Sequence, residues 1–289
     1  MRCYRYMKFD HAEQSLKTQF FKVSRPSEFN DPLECRGRIV NVEVPLREFV
    51  HENVERLRNK AIVNSLAAGR ISEADQGVFT EEFLFQQFVK TTKGMIDDES
   101  LRVADSLLLM MCFVMEKGSK PKTDILLWSH YADSGRGVRV TFDLPPKSRA
   151  HYMHPITYQK ELPTFDAVDM EGWLKGEKFK RFIESLTHTK GEAWEYENEV
   201  RMIIPRKLPY SLPEDRLHIR KMDIDGKSLE FIRIDPSVVR RVDFGPRVDK
   251  KLAASLVKEL HKSGMYDHVH FFECLFDLER YAYKYERVA

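Results

Sequence analysis

The residues whose types and spacing suggest chemistry stand together in Trp194-Glu195-Tyr196-Glu197-Asn198-Glu199-Val200-Arg201. The aromatic and β-branched content, continued by Met202-Ile203-Ile204, predicts a strand that Pro205 ends. Side chains alternate along a strand, so Glu195, Glu197, Glu199 and Arg201 would share one face. Carboxylates at that spacing repel, so the face must meet water, cationic side chains or a ligand. A face of this kind that meets a ligand would form the floor of a site. The competing reading is an exposed strand face whose acids pair with neighbouring Lys and Arg.

Other reactive groups are scattered. Tyr4-Arg5-Tyr6 sets a guanidinium between two phenols near the start of the chain. Phe29-Asn30-Asp31-Pro32 requires a turn, in which the Asn or Asp side chain holds the backbone, and Glu34 follows. His130 and Tyr131 sit among aromatics, where packing competes with a role in catalysis. Asp31, Glu34, Glu197 and Glu199 would suit a hard cation only if the fold gathered them, and no metal is assigned. No phosphate-binding glycine loop, His-Glu-x-x-His or nucleophile elbow is present.

These groups need a folded scaffold, and the composition supplies one. Across 289 residues, 42% are hydrophobic and 32% charged, which fits an ordinary globular chain. The net charge of +2 means that any nucleic-acid contact must be a local basic patch. The four cysteines form no Cys-x-x-Cys pair, which argues for a reducing compartment. Met1 leads into Arg2-Cys3-Tyr4 without an apolar signal region, and Leu107–Met115 is too short to span a bilayer. A cytoplasmic chain with no membrane partner is expected.

Periodicity predicts strands at Tyr4–Tyr6, Phe20–Ser24, Met111–Met115, Val138–Phe142, Tyr152–Tyr158, Leu229–Ile234, Val238–Phe244 and Leu278–Val288. Short helices are expected over Asp10–Gln19, from Asp124 to Tyr131, from about Val168 to Lys190 with Trp173 on its core face, and around Leu252–Leu260. Residues 45–109 read as a helical insertion. A first helix carries Leu46, Val50, Val54 and Leu57 and stops at Gly69. A second, capped by Ser72 or Thr80, ends near Gly94, and a third starts near Asp97. The strands and helices alternate without a βαβ rhythm. The expected class is α+β: a single domain over 1–289 with a mixed, largely antiparallel sheet core and a helical insertion after the first strands.

The order of short motifs carries a resemblance. It runs Tyr4-Arg5-Tyr6, Ser24-x-Pro26, Phe29-Asn30-Asp31-Pro32-Leu33-Glu34, Cys112-Phe113, Trp128-Ser129-His130-Tyr131-Ala132, Gly137-Val138, Phe142-Asp143, Trp194-x-x-Glu197-x-Glu199-x-Arg201 and Phe244-Gly245. In this order the chain resembles the bacterial domain-of-unknown-function family numbered 2971, a name that implies no activity. The layout is also similar to ADP-ribosyltransferase-like proteins, including DNA-modifying toxins. Those place an Arg or His on the first strand, a Ser or Tyr on a following strand, and a Glu, often as Glu-x-Glu, on a later one. Arg5, Ser24 and Glu197-x-Glu199 fall in that order, though Ser24 lies outside a Ser-Thr-Ser run and Arg201 stands where it could neutralise an acid.

That resemblance implies NAD as substrate, with Glu197 and Glu199 catalytic. Arg5 would hold the pyrophosphate, Ser24 would line the same site, and Tyr6, Phe29 or Tyr131 would stack on a ring. Asn30, Asp31, Glu34, His130 and Arg201 would support the site. The acceptor would be nucleic acid or protein, in a defence or toxin setting. Two alternatives stand beside it. One is a nucleic-acid-binding module using Arg206, Lys207, Arg216, Arg220, Lys221, Arg240, Arg241, Arg247, Lys250 and Lys251. The other is a protein-interaction component of a defence or stress system, with the helical insertion as its partner surface.

Overall fold

In the computed structural model, which describes residues 1–68, 77–116, 124–144, 153–166, 176–206, 219–224 and 226–288, the strands follow the apolar alternation. Gly69, Ser72, Tyr152, Val168, Trp173, Lys207 and Arg216, which the sequence singles out, lie outside the described residues. In chain order the first elements are β1 (Arg2–Met7), α1 (Phe9–Thr18), β2 (Phe20–Val23), β3 (Arg38–Val40), α2 (Glu43–Ala67) and α3 (Glu81–Leu107). Next come β4 (Leu108–Met115), α4 (Asp124–Tyr131), β5 (Val138–Asp143), β6 (Met153–Pro155), β7 (Thr157–Gln159), β8 (Thr164–Asp166) and α5 (Gly176–Thr187). The chain continues through β9 (Thr189–Gly191), β10 (Glu199–Pro205), β11 (Ile219–Ile224), β12 (Lys227–Arg233) and β13 (Val239–Phe244). It ends with α6 (Lys250–Lys262), β14 (His270–Asp277) and β15 (Ala282–Arg287).

Eight strands form one sheet in the order β15-β14-β13-β5-β1-β4-β10-β6. Its pairings are antiparallel except β13–β14, which run parallel because α6 carries the chain back between them. The α+β class with a mixed, largely antiparallel sheet therefore holds, and α2 follows the first strands.

The sheet is apolar on both faces. One face buries Cys3, Met7, Phe113, Val140, Phe142, Val200 and Met202 with Leu16 of α1 and Leu256 and Leu260 of α6. Its layer also takes in Phe21 and Ile232 from the smaller sheet β11-β12-β2. The other face gathers Tyr4, Tyr6, Val114 and Cys274 around Leu127 and Trp128 of α4. Burying an aliphatic or aromatic side chain contributes roughly 1.5–3 kcal/mol, so these two layers dominate the stability. Asp249 caps α6 by accepting from the backbone N–H groups of Lys251 and Leu252. Among the described residues no helix is long and apolar enough to cross a membrane.

The chain divides into two compact units: Met1–Asn30 with Asp105–Tyr158 and Lys190–Ala289, and Asp31–Ala104 with Gln159–Thr189. In the second, α2 and α3 close on each other through Val50, Phe79, Leu84 and Phe85, packed by Leu46, Val54 and Leu57, the stripe expected from periodicity. The expected second and third helices are one. α3 runs from Glu81 to Leu107 straight through Gly94, since a glycine weakens a helix by only about 1 kcal/mol.

Candidate functional site

The Glu-rich stretch does not begin as a strand. Glu192–Glu197 coils into a 3-10 turn, Asn198 adopts a left-handed conformation at φ 45°, and only Glu199 opens β10. Asn tolerates that backbone better than most residues, and its Nδ2 donates to the Met115 carbonyl at 2.6 Å. The expected shared face is thereby corrected. Glu195 is exposed, while Glu197 and Glu199 are both buried at 4% exposure. The kink relieves the repulsion that a continuous row of carboxylates would suffer, and it wraps both acids around one cation.

That cation is Lys190, itself only 7% exposed. Its Nζ donates to Glu197 Oε2 at 2.7 Å and to Glu199 Oε2 at 3.0 Å. Arg201, fully buried, donates from Nε to Glu199 Oε1 at 2.6 Å and from Nη2 to Glu199 Oε2 at 3.2 Å. Two carboxylates thus meet two cations, which is how a buried charge cluster avoids a prohibitive desolvation cost. The Glu199 N–H donates to Tyr158 Oη at 2.7 Å. The Arg201 guanidinium lies 5.6 Å from the centre of the Phe29 ring, and the Lys190 ammonium 4.8 Å from Trp194.

Electrostatics follow from this packing. Burial alone would lower the Lys190 pKa, but Glu199 and Glu197 outweigh it and hold the ammonium well above its usual range. Burial pushes the Glu199 carboxyl up, against the pull of Lys190. Tyr131 is raised by burial and then by Glu197, whose Oε1 accepts its hydroxyl. The Tyr131 hydroxyl in turn accepts from Nδ2 of the exposed Asn30 at 3.3 Å. A polar chain therefore runs inward from Asn30 through Tyr131 to Glu197, Lys190 and Glu199. His130 stands beside it, 6.2 Å from the Tyr131 ring centre and 6.3 Å from Tyr196.

Of the expected site residues, Glu197, Glu199, Arg201, Tyr131, Asn30 and His130 come together here. Others do not. In the register Tyr4 pairs Val114, which pairs Glu199, so alternation turns Arg5 to the opposite face, that of Cys3 and Met7. Arg5 Nη2 donates to the Lys22 carbonyl at 2.9 Å, and burial lowers its pKa to about 10. Cys112, opposite Arg201 in β4, is raised by burial and then by Glu199. Tyr6 is committed elsewhere: its hydroxyl meets Asp124, and its ring stands edge-on to Trp128 at 5.1 Å. Ser24 spends both backbone groups on Met110, each at 2.8 Å. Asp31 and Glu34 belong to the second unit. There Asp31 Oδ1 accepts the Leu33 N–H at 2.9 Å in the expected turn, and Glu34 is buried.

Sequence reasoning missed Lys190 and Tyr158. Lys190 read as the tail of a helix, yet it is the residue on which both acids converge. The usable signals were Gly191 directly after it, which frees the backbone, and Asn198 interrupting the glutamates. Among the described residues no group of three or more His, Cys, Asp or Glu side chains is gathered as a metal site.

No curated protein and no solved structure matches this chain. Residues 127–202 match the family model described as "Protein of unknown function (DUF2971)", a stretch that carries Tyr131, Tyr158, Lys190, Glu197, Glu199 and Arg201.

Proposed function

We propose that this chain cleaves NAD and transfers the ADP-ribosyl group to a nucleic-acid or protein acceptor, with Glu197 as the carboxylate that faces the substrate. The supporting observation is the asymmetry of the two acids. Glu199 is clamped by Arg201 and Lys190, whereas Glu197 has one oxygen on Lys190 and the other on Tyr131, which leads through Asn30 to the surface. Half-buried Tyr131 and Tyr196 and exposed His130 offer ring surfaces beside that chain.

In this reading the ribose 2′-hydroxyl replaces the Tyr131 hydroxyl on Glu197. The nicotinamide–ribose C–N bond breaks, its electron pair leaves with nicotinamide, and the oxocarbenium-like ribose forms beside the carboxylate. The acceptor nucleophile then bonds to the anomeric carbon and releases its proton to solvent. Lys190, itself held by Glu199, is a positioning residue that fixes Glu197 Oε2. Arg5 has no part in the cluster, so the pyrophosphate contact passes to other cations.

Incubating the full chain with NAD labelled in its adenylate half and mixed protein, DNA and RNA acceptors tests this. Label transferred to one acceptor class, with free nicotinamide released, is the expected result; intact NAD under all conditions would overturn it. The second reading, nucleic-acid binding without catalysis, draws on exposed Arg220, Lys221, Arg240, Arg247, Lys250 and Lys251. It predicts steeply salt-dependent DNA or RNA binding with NAD untouched.

A further inference from the structure

A cavity of about 510 Å³ opens on the Tyr4 face of the main sheet and shares no residue with the Glu197 cluster. Its floor is a row of paired residues. Tyr4 of β1, Thr141 of β5, Arg241 of β13 and His270 of β14 stand in register across four adjacent strands. The volume lies within the range of pockets that enclose small organic ligands.

Three features of this cavity need one occupant. The first is cationic. Arg2 and Arg240 line it at 53% and 45% side-chain exposure. Arg2 lies 3.6 Å from Glu116 and 3.9 Å from Asp143, and Arg240 lies 3.7 Å from Asp143. These separations are too long for hydrogen bonds, so among the described residues neither guanidinium has a hydrogen-bonded carboxylate. Glu116 is the one acid among the lining residues, and it accepts the Tyr4 hydroxyl. The second is aromatic. Phe272 and Tyr285 are half-buried and line the cavity, and the Arg241 guanidinium lies 3.6 Å from the Phe272 ring centre. The third is Thr141. This residue is 4% exposed, yet its Oγ1 is buried with no hydrogen-bond partner among the described residues. A buried hydroxyl normally finds a partner, because leaving it unpaired is costly.

An anion alone would satisfy the arginines and could accept the Thr141 hydroxyl, and an apolar ligand alone would suit the rings, but neither meets all three features. We propose that this cavity binds a nucleoside monophosphate, with the phosphate between Arg2 and Arg240, the base against Phe272 and Tyr285, and a ribose oxygen on the Thr141 hydroxyl. The site is independent of the NAD-cleaving reading, since binding here requires no turnover.

The test is calorimetric titration of the full chain with adenosine 5′-monophosphate in the absence of NAD. Ribose 5-phosphate, adenosine and inorganic phosphate serve as comparison probes. The nucleotide is expected to bind at least tenfold more tightly than each fragment. Arg240→Gln, at an exposed position, should weaken it at least tenfold. Thr141→Val removes the lone hydroxyl at nearly constant shape; it should keep or raise the unfolding midpoint while weakening the nucleotide several-fold. Glu197→Gln should leave this affinity unchanged, which separates the site from the proposed NAD site. Equal affinity for ribose 5-phosphate and the nucleotide would overturn the proposal, as would nucleotide binding that survives both Arg240→Gln and Thr141→Val or is abolished by Glu197→Gln.

Discussion

Replacing Lys190 by Met keeps the length and apolar stem of the side chain but deletes the charge on which two buried carboxylates converge. At 2.7 and 3.0 Å, and with an effective dielectric of about 20, the two attractions are worth about 6 and about 5.5 kcal/mol before desolvation is subtracted. Removing one partner of a buried ion pair usually costs about 3–5 kcal/mol, and that is the expected loss at neutral pH. Glu199 keeps Arg201, so the uncompensated charge falls on Glu197, which retains only the Tyr131 hydroxyl. Adding Glu197→Gln to Lys190→Met should therefore recover roughly 1–3 kcal/mol, a coupling typical of residues in direct contact. Urea unfolding followed by tryptophan fluorescence suits the measurement, because Trp194 lies against the Lys190 ammonium. A loss under about 1 kcal/mol, or no recovery in the double variant, would refute a buried charge cluster.

The same logic applies to Arg139, which donates to Asp243 at 2.9 Å and Asp124 at 3.2 Å. Arg139→Met should cost about 3–5 kcal/mol in chemical unfolding, partly restored by Asp124→Asn, because Asp243 keeps Arg241 at 2.6 Å. Gly137→Ala would set a methyl 2.1 Å from the Met7 carbonyl oxygen and 2.9 Å from Ala132 Cα; a loss of about 2–3 kcal/mol is expected, and an unchanged urea midpoint would contradict that contact. Burial lifts the Cys3 and Cys274 thiols from 9.0 to about 12, so folded protein should resist alkylation at these positions at pH 8 and lose that resistance in urea. Because their folded pKa values are raised, the stability linked to these thiols is complete below pH 9 and is lost as pH climbs toward 12. The urea midpoint should therefore fall over that window, and less so in Cys3→Ala.

The sheet was legible where apolar and polar residues alternate. β1, β2, β4, β5, β12 and β13 fall close to their expected limits because each must bury at least one face. β14 escaped notice: His270-Phe271-Phe272-Glu273-Cys274 alternates weakly, and its parallel pairing with β13 depends on the α6 crossover, which no local pattern announces. The Glu-rich stretch misled because its composition suits a strand, while one left-handed Asn decides its path. Cationic side chains were one of three environments, with water and a ligand, that the row of acids required, and they are what the fold supplies. Arg201 is adjacent on the same strand, but Lys190 reaches Glu197 and Glu199 only through the fold of the turn. The placement of Arg5 opposite to Glu199 follows from strand register, which alternation within a single strand does not fix.

Nicotinamide release from NAD by the wild-type chain, Glu197→Gln and Glu199→Gln, each checked for folding by its unfolding midpoint, tests the central claim most directly. A rate lowered about 10²–10³-fold in Glu197→Gln is the predicted result for a carboxylate that stabilises the transition state. Both variants remove a partner of Lys190, but Glu199→Gln should lose more stability, because it also takes the carboxylate from buried Arg201. A folded Glu197→Gln variant that releases nicotinamide as fast as the wild type would contradict the account.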